Sequence, residues 1–579
     1  MLISFLTPFL AYFAPSHLWP LIAPTLFAPD SKISNLLSKD VTDKIESLRA
    51  KYDVQGIGLA VSSRNENLTE AISFGVANTK GESVTNETFF AIASNSKLFT
   101  MLAVGMLIEN HTLLVSGEYL DWSTKIKDIL PEWKLLDEYA SDHADVVDLL
   151  GMRAGLPRHG YSHRPSEPSE LISDLRHLRP STELHQAWQY NNQLYLTLAH
   201  VVPTLTGIPF PEYVRMHIFE PLGMTATYNS TEAAFTGRRA NGFMRVGQNL
   251  TRCAERWRPG SETVDDSCLG EPGGFEWWTE GDGLFVSGAG GVVMTVQDMS
   301  TWLRELLNPT VISRELLIKS TIPLSIMEIS APFPFSSILY GLSQFSFNYR
   351  GIEVVGHTGD LPGQTSILLG VPSRGVGVML ASNEDADAFG DEMNRIIANM
   401  VLDDLLGLEP TDWEETVLGK SLRQIPKSVE PPKDPRSSPR EADVVGEYMG
   451  QGYGRFNLKL IDSPSAVPKP IQVTIDQLKP TGSVYVALFE RLGTSHLVFT
   501  HFDGPLFNWT VLGLFPRLDG NGEKTDETVG YARKSGSAVF AEGGVGMFGG
   551  WWGQDVRVKP LDPVERGVKR SAEAWFQKM

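Results

Sequence analysis

The chain has 579 residues and a mass of 63.9 kDa, roughly three to four times the usual length of one domain, so we expect at least two domains. Apolar residues make up 42% and charged residues 21% of it, which excludes a mainly disordered, collagen-like or multi-span membrane protein. A formal charge of -19, from 50 basic and 69 acidic side chains, makes nucleic acid or an anionic membrane an unfavourable main partner.

The amino-terminal segment has no charged side chain from Leu2 to Pro29 and contains an apolar run of signal-peptide length. We expect residues 1–30 to be a signal peptide that directs the protein to the secretory pathway, although the usual basic start is missing. Prolines interrupt the segment and remove backbone donors, so we do not expect a stable membrane-spanning helix.

Six Asn-x-Ser/Thr tripeptides are candidate N-glycosylation sites, about twice the number expected by chance. They begin at Asn67, Asn86, Asn110, Asn229, Asn249 and Asn508. The two cysteines, Cys253 and Cys268, are too few for a disulfide-built scaffold or a cysteine zinc cluster, but they allow one bridge across a short loop. With the apolar start, these features predict a secreted eukaryotic protein.

The apolar pattern after residue 30 is typical of a mixed α/β domain. Buried strands are predicted at both ends of this region and helices between them, which indicates one sheet assembled from distant segments. The predicted strands are 56–61, 71–76, 351–356, 366–371 and 375–381, and the predicted helices are roughly 95–110, 193–206 and 297–307.

A segment rich in Pro, Ser and charge, Pro426–Pro439, has the composition of a linker. We therefore expect a catalytic domain over residues 31–415, a linker over 416–442 and a second domain over 443–579. Short β-rich runs such as 484–489 and 496–500, separated by Gly, Asp and Pro, predict that the second domain is a small antiparallel barrel or sandwich.

Several common chemistries have no support in the sequence. No G-x-S-x-G motif is present, and Gly419-Lys420-Ser421 has Glu414 where a phosphate-binding loop needs its first glycine. His159 and His163 are four residues apart, but the prolines and glycines around them favour a solvated loop over a metal site. We expect no metal and no cofactor, which leaves a covalent mechanism.

A serine and a lysine three residues apart, Ser94 and Lys97, directly precede a stretch that is apolar nearly all round. Such a stretch predicts a buried helix with both side chains on one face of its first turn. Burial and the positive end of the helix dipole disfavour the ammonium form of Lys97 and so lower its pKa. A base next to a nucleophilic hydroxyl needs such a lowered pKa.

Two further motifs follow, Tyr190-Asn191-Asn192 and, at the end of a predicted strand, His357-Thr358-Gly359. The order S-x-x-K, Y-x-N, H-T-G and the intervals between the motifs resemble the serine β-lactamase superfamily, in particular class C β-lactamases, D-stereospecific peptidases and esterases. The flanking segments 89–93, 155–157 and 218–224 are similar as well. The resemblance covers roughly residues 45–405.

The resemblance implies a role for each motif residue. Ser94 would be the acyl-enzyme nucleophile and Lys97 its proton partner. Tyr190, held partly as phenolate, would be the base, and Asn192 would bind the substrate amide and position Lys97. The main-chain N–H groups of Ser94 and Ser366 are candidate oxyanion donors.

The resemblance also implies an antiparallel sheet flanked by helices and a carboxy-terminal lipocalin-like barrel that begins near Gly446. His357 departs from the family pattern, since β-lactamases carry lysine there. A mostly neutral histidine suits the carboxylate of a penicillin less well than a permanent cation does. We therefore expect His357, at the mouth of the site, to favour esters and amides that lack a carboxylate at that position.

The sequence thus predicts a secreted serine hydrolase that cleaves an ester or amide of a small molecule or short peptide. An acyltransferase or transesterase of a secondary-metabolite pathway and a true β-lactamase remain alternatives. A catalytically silent ligand-binding protein is a further alternative, against which the joint presence of Ser94, Lys97, Tyr190 and Asn192 argues.

Overall fold

The computed structural model describes residues 35–579 except 262, 278–282, 284–285, 330–333, 426–431, 464–465, 481 and 554–566. Leu36–Met579 form one compact unit. The predicted signal peptide, residues 1–30, lies outside the described residues.

The described strands, in chain order, are β1 (Gly56–Ser63), β2 (Leu68–Gly75), β3 (Phe89–Ala91), β4 (Gly242–Val246), β5 (Glu271–Phe275), β6 (Val293–Thr295), β7 (Ser325–Glu328), β8 (Ile338–Tyr340), β9 (Phe345–Tyr349), β10 (Ile352–Leu361), β11 (Gln364–Val371), β12 (Val376–Ser382), β13 (Gly446–Gly450), β14 (Gly454–Leu460), β15 (Val484–Arg491), β16 (Thr494–Asp503), β17 (Leu506–Leu518), β18 (Lys524–Ala541), β19 (Gly544–Phe548) and β20 (Ala574–Lys578).

The described α-helices are α1 (Lys39–Lys51), α2 (Lys97–Glu109), α3 (Glu138–His143), α4 (Val146–Leu150), α5 (Pro168–Asp174), α6 (Asn192–Thr206), α7 (Phe210–Val214), α8 (Ser230–Phe235), α9 (Leu250–Arg256), α10 (Asp266–Leu269), α11 (Ser287–Gly290), α12 (Val296–Leu307), α13 (Arg314–Thr321), α14 (Gly390–Leu406), α15 (Lys420–Arg423), α16 (Glu441–Val444) and α17 (Lys469–Leu478), with a last short helix over Val568–Ser571.

The catalytic part is built on an antiparallel sheet that joins strands from distant segments. Over the described ranges this sheet has eight strands in the order β2-β1-β12-β11-β10-β9-β8-β7. Strands β1, β11 and β12 are buried along their whole length, because helices cover both faces of the sheet. The sheet predicted from both ends of the catalytic region is confirmed, as are the helices α2, α6 and α12.

Alternate residues of the central strands enter two separate cores. On β12, Met379 and Ala381 pack into the core that contains α2 and α6, whereas Val378 and Leu380 pack into the core that contains α1 and α14. The helix α2 is buried nearly all round, as its composition predicts. The first residues of α2 and α6 are thereby fixed against the sheet, and the site is built there.

The carboxy-terminal strands form a closed barrel, which confirms the lipocalin-like prediction. Strands β13 to β20 pair in sequence order, and β13 pairs with β20 to close the ring, so the described barrel has eight strands. Aromatic side chains fill its interior, among them the fully buried Trp509 and Trp551. The hairpin β4–β5 of the catalytic part extends the same sheet through the pair Phe275 and Arg517.

The predicted linker, residues 416–442, begins too early. Residues Glu414–Gly419 form a π-helical turn that continues into α15, and Leu418 and Leu422 are buried in the core beside α14. The two leucines are apolar and spaced one turn apart, so this segment belongs to the packed catalytic part. Residues 426–431 lie outside the described residues.

Cys253 and Cys268 form a disulfide that joins α9 to α10, as predicted. Among the helices that the structure describes, none is long and apolar enough to span a bilayer.

Candidate active site

Ser94 lies in a one-turn 3₁₀ helix, Ala93–Ser96, directly before α2. Ala93 has a φ of 49°, a left-handed conformation that is uncommon for a residue with a side chain. Strain of this kind persists only where the surroundings enforce it, and it often marks a functional site. Ser94 is half-buried while the residues on either side of it are buried, so the serine is the accessible residue of this turn.

Strands β10 and β11 hold this turn in place. The Ser366 hydroxyl donates to the Ile92 carbonyl at 2.7 Å and accepts from the Asn95 side-chain amide at 2.9 Å. A Cβ on Gly359 would lie 2.3 Å from the Ile92 oxygen, so only glycine lets β10 approach this closely. The H-T-G glycine therefore sets the position of the turn that carries Ser94.

Three side chains meet at Ser94. The Oγ of Ser94 lies 2.6 Å from the Tyr190 Oη, and the Lys97 Nζ donates to the same Oγ at 3.0 Å. The Lys97 Nζ also donates to the Ala289 carbonyl at 2.7 Å. The structure thus brings together the serine, lysine and tyrosine that the motifs predict.

Lys97 is fully buried, and burial is the main reason that its pKa is lowered well below the usual 10.5. The positive charge of Arg158 lowers this pKa further. A neutral Lys97 amine can share protons with Ser94 and Tyr190.

Tyr190 directly precedes α6, whose cap is Asn191. The Asn191 Oδ1 accepts from the Leu194 N–H, and its side-chain amide donates to the Pro157 carbonyl at 2.7 Å. Because Asn191 caps the helix, the Asn192 side chain does not, and its buried Oδ1 has no hydrogen-bond partner. Among the described residues no hydrogen bond joins Asn192 to Lys97, so the structure adds no support for the predicted positioning role of Asn192.

His357 lies in an aromatic pocket rather than at an open mouth, which corrects its expected position. Its ring is 6.4 Å from Tyr190 and 6.0 Å from both Tyr340 and Phe345, and 5% of the residue is exposed. Burial is the main reason that the pKa of His357 is lowered to about 3. The imidazole is neutral, as the sequence predicts, and Thr358 beside it is half-buried.

The strand register corrects the role expected for the Ser366 N–H. A two-residue turn joins β10 to β11, so Leu361 and Gln364 form a hydrogen-bonded pair. Hydrogen-bonded pairs alternate along an antiparallel ladder, and Ser366 opposite Gly359 is the next one. The Ser366 N–H therefore points to the Gly359 carbonyl, and its hydroxyl, rather than its amide, serves the site.

The same alternation directs the N–H groups of Thr358 and Asp360 to the opposite edge of β10. Pairing with β9 ends at Gly356, so this part of the edge extends beyond β9. Asp360, directly after the H-T-G motif, replaces Ser366 as the second candidate oxyanion donor.

A further residue, Arg158, was missed by the sequence reasoning. Its guanidinium carbon lies 4.4 Å from the centroid of the Tyr190 ring. It directly follows the segment 155–157, which the family resemblance had singled out, but no sequence spacing relates it to Tyr190.

The solvated loop predicted for His159 and His163 is wrong, because both residues are buried. The His159 Nδ1 lies 2.5 Å from the Tyr453 hydroxyl of the barrel, and its Nε2 lies 2.9 Å from the Arg179 carbonyl. The sequence could not show this, since the barrel residue that covers His159 lies almost 300 positions away.

A cleft with a cavity volume of about 200 Å³ lies between the catalytic part and the barrel. Arg158, Asn192 and Asp360 line it from the catalytic part, and Lys534 and Trp551 line it from the barrel. A second, small pocket with a cavity volume of about 30 Å³ shares Leu361 and Pro362 with this cleft.

Comparisons with known proteins agree with this geometry. A family model described as Beta-lactamase matches residues 41–401. An unguisins hydrolase of Aspergillus violaceofuscus is 24% identical over 530 residues, 84% of each chain, and one of Aspergillus campestris is 24% identical over 431 residues, 72% of this chain and 75% of that protein.

The octameric penicillin-binding protein homologue from Pyrococcus abyssi is similar in structure. It superimposes with a TM-score of 0.53 at 19% identity, over 88% of this chain and 97% of that one. At this identity the likeness shows the fold alone.

The fold, the serine site and the matching family model define a serine hydrolase. The family model covers more than half of the chain. The chain belongs to the beta-lactamase family.

Proposed function

We propose that the protein cleaves an ester or amide bond of a small molecule or short peptide through an acyl-Ser94 intermediate. The observation that carries this proposal is the contact of the Ser94 Oγ with both the Tyr190 Oη, at 2.6 Å, and the Lys97 Nζ, at 3.0 Å. An activated nucleophile of this kind needs a base within hydrogen-bond reach.

In the first step, the Ser94 hydroxyl gives its proton to the Tyr190 phenolate while Oγ attacks the carbonyl carbon. The carbonyl electrons move to the oxygen, and the Ser94 and Asp360 N–H groups are the proposed donors to that oxyanion. Collapse expels the alcohol or amine, which takes the proton from Tyr190. Water then repeats the sequence on the acyl-enzyme and restores Ser94.

The substrate class follows from charge in the site. His357 is neutral and buried where a lysine would be a cation, so a substrate carboxylate gains no ion pair there. A neutral ester or amide is therefore preferred over a penicillin-like acid. The Aspergillus relatives are named hydrolases, which supports water rather than an alcohol as the acyl acceptor.

The silent-binder alternative loses support in the barrel. Lipocalin-like barrels that bind ligands need an open interior, and here Trp509 and Trp551 are fully buried among other aromatic side chains. The unpartnered Asn192 Oδ1 instead lines the cleft on the catalytic side.

Covalent labelling tests this proposal. A fluorophosphonate probe should add one adduct to the intact protein, and peptide mapping should locate it on Ser94. Ser94→Ala should take up no label. Ser116→Ala, which changes an exposed serine, is the matched control and should label like the wild type. A wild type that stays unlabelled, or a label on another residue, would refute the proposal.

We further propose that the protein is secreted and N-glycosylated. The disulfide between Cys253 and Cys268 supports an oxidising compartment. Five of the six acceptor asparagines are exposed, and Asn229 is half-buried. Asn229 and Asn249 cap helices through their Oδ1 atoms, which leaves the side-chain nitrogen for a glycan. Glycosidase treatment of protein from the native host should lower its mass, and an unchanged mass would contradict glycosylation.

A further inference from the structure

Two basic side chains lie close to the Tyr190 ring. The Lys97 Nζ is 4.8 Å from the ring centroid, and the Arg158 guanidinium carbon is 4.4 Å from it. Lys97 is fully buried, and burial lowers its pKa well below the usual 10.5, which favours the neutral amine. The guanidinium of an arginine keeps its charge at neutral pH.

The other groups that face Tyr190 carry no positive charge at neutral pH. His357, from β10, has a pKa lowered to about 3, mainly by burial. Tyr195, from α6, and Tyr340, from β8, are buried phenols whose pKa values are raised. Among the residues that the structure describes, Arg158 is thus the permanent cation beside the Tyr190 ring.

The barrel fixes the position of Arg158. The Arg158 N–H donates to the Trp552 carbonyl at 3.0 Å. A Cβ on Gly553 would lie 3.0 Å from the Arg158 Cβ and 3.3 Å from its Cδ, so the glycine packs directly on the side chain. The next residue, His159, has a left-handed φ of 43° and contacts the barrel residue Tyr453. The loop that carries Arg158 is thereby tied to the barrel.

We propose that Arg158 is a positioning residue for the reaction, a barrel-held cation that keeps Tyr190 deprotonated and Lys97 neutral. This inference rests on the proposed function. A nearby positive charge favours the phenolate form of Tyr190 and disfavours the ammonium form of Lys97. It therefore lowers the pH at which the Ser94–Lys97–Tyr190 group loses the proton whose removal activates Ser94.

The pH profile of kcat/KM on a neutral nitrophenyl ester tests this role. In Arg158→Gln the acidic limb should move up by roughly 1–2 pH units, with activity recovering at high pH, because the lost charge raises the pKa of the coupled group. Arg158→Lys keeps the charge, so the acidic limb of its kcat/KM profile should lie within a few tenths of a pH unit of that of the wild type. Arg179→Gln is the matched control, since Arg179 contacts the barrel at Trp552 but not Tyr190.

An equal loss at every pH in Arg158→Gln would show a purely structural role and overturn the proposal. So would an unshifted limb, or a shift of the same size in folded Arg158→Lys or in Arg179→Gln. Thermal unfolding of each variant identifies those that fold.

A second measurement does not need turnover. The difference in phenolate absorbance between Ser94→Ala and Ser94→Ala/Tyr190→Phe reports the titration of Tyr190, and adding Arg158→Gln should move that titration to higher pH. An unmoved titration would overturn the role of Arg158 even if Ser94 is labelled by the fluorophosphonate. Failure of the wild type to be labelled would instead refute the proposed function.

Discussion

At the scale of single residues, the proposed chemistry depends on one contact of 2.6 Å between the Ser94 Oγ and the Tyr190 Oη. Tyr190→Phe removes the proposed base and should lower kcat on a neutral aryl ester by at least about 100-fold. Tyr195→Phe is the matched control. The ring centroid of this buried tyrosine lies 5.5 Å from the Lys97 Nζ, but its hydroxyl is within hydrogen-bond distance of the Leu150 and Leu342 carbonyls. We expect Tyr195→Phe to affect thermal stability more than kcat, and similar kcat losses in both variants would contradict Tyr190 as the base.

His357 should govern the choice between neutral and anionic substrates. His357→Lys adds a cation to a site that has a neutral imidazole, so a carboxylate-bearing β-lactam should gain relative to a neutral ester. The gain expected for a charge-assisted hydrogen bond is about 2 kcal/mol, or roughly 30-fold in the ratio of kcat/KM for nitrocefin and an aryl ester. An unchanged ratio would show that residue 357 does not select the substrate.

The motif residues could be predicted from the sequence because their spacing encodes their placement. Ser94 and Lys97 are one helical turn apart, and Tyr190 and Asn192 flank a cap. Arg158 could not be predicted, since its contact with Tyr190 depends on the left-handed turn at His159 and on the barrel. The oxyanion donor was misassigned because strand register, and not residue type, decides where an N–H points.

At the scale of elements, strand β10 sets the position of the turn that carries Ser94. Gly359→Ala would place a Cβ 2.3 Å from the Ile92 oxygen and 3.0 Å from the Ala93 Cβ, so the strand and the turn must move apart. A shift of this kind should cost about 1–3 kcal/mol in stability and, by misplacing Ser94, on the order of 100-fold in kcat.

The glycine at position 370 provides the control for this change. Gly370 lies on β11, and a Cβ there would have its nearest neighbour, a methyl group of Val355 on β10, at 3.6 Å, an ordinary contact. Gly370→Ala should keep kcat near that of the wild type. Wild-type kcat in Gly359→Ala, measured on the same ester, would show that β10 does not set the position of Ser94.

The strands and long helices were predictable because their apolar periodicity is strong. The linker boundary was not, since Leu418 and Leu422 find their partners on α14 only in the folded chain. The barrel could be predicted as a class, whereas its closure by β20 depends on pairing with β13 across more than a hundred residues.

At the scale of the whole molecule, a lower pH should destabilise the contact between the catalytic part and the barrel. Burial lowers the pKa of His159 to about 4, from 6.5, so the unfolded chain binds a proton more readily than the folded chain between these values. Stability should therefore fall as the pH is lowered from about 6.5 to about 4, by on the order of 3 kcal/mol from this residue.

His159→Gln keeps a donor for the Arg179 carbonyl and an acceptor for Tyr453 but cannot titrate. Urea unfolding at pH 7 and pH 5 should show a smaller difference in this variant than in the wild type. His143→Gln, which changes an exposed histidine, should retain the wild-type difference. Equal pH dependence in all three proteins would remove His159 as the acid-sensitive group.

The hairpin β4–β5 and the closing strand β20 have a consequence for the order of synthesis. The ribosome synthesises Ser94, Lys97 and Tyr190 long before it synthesises Ala574–Lys578. The pairing of β5 with β17 and of β13 with β20 can form only after those later strands have been made. The loop that carries Arg158 gains its Trp552 contact equally late. A nascent chain therefore contains Ser94, Lys97 and Tyr190 before the contacts with the barrel exist, and we expect full activity only after the barrel has been translated.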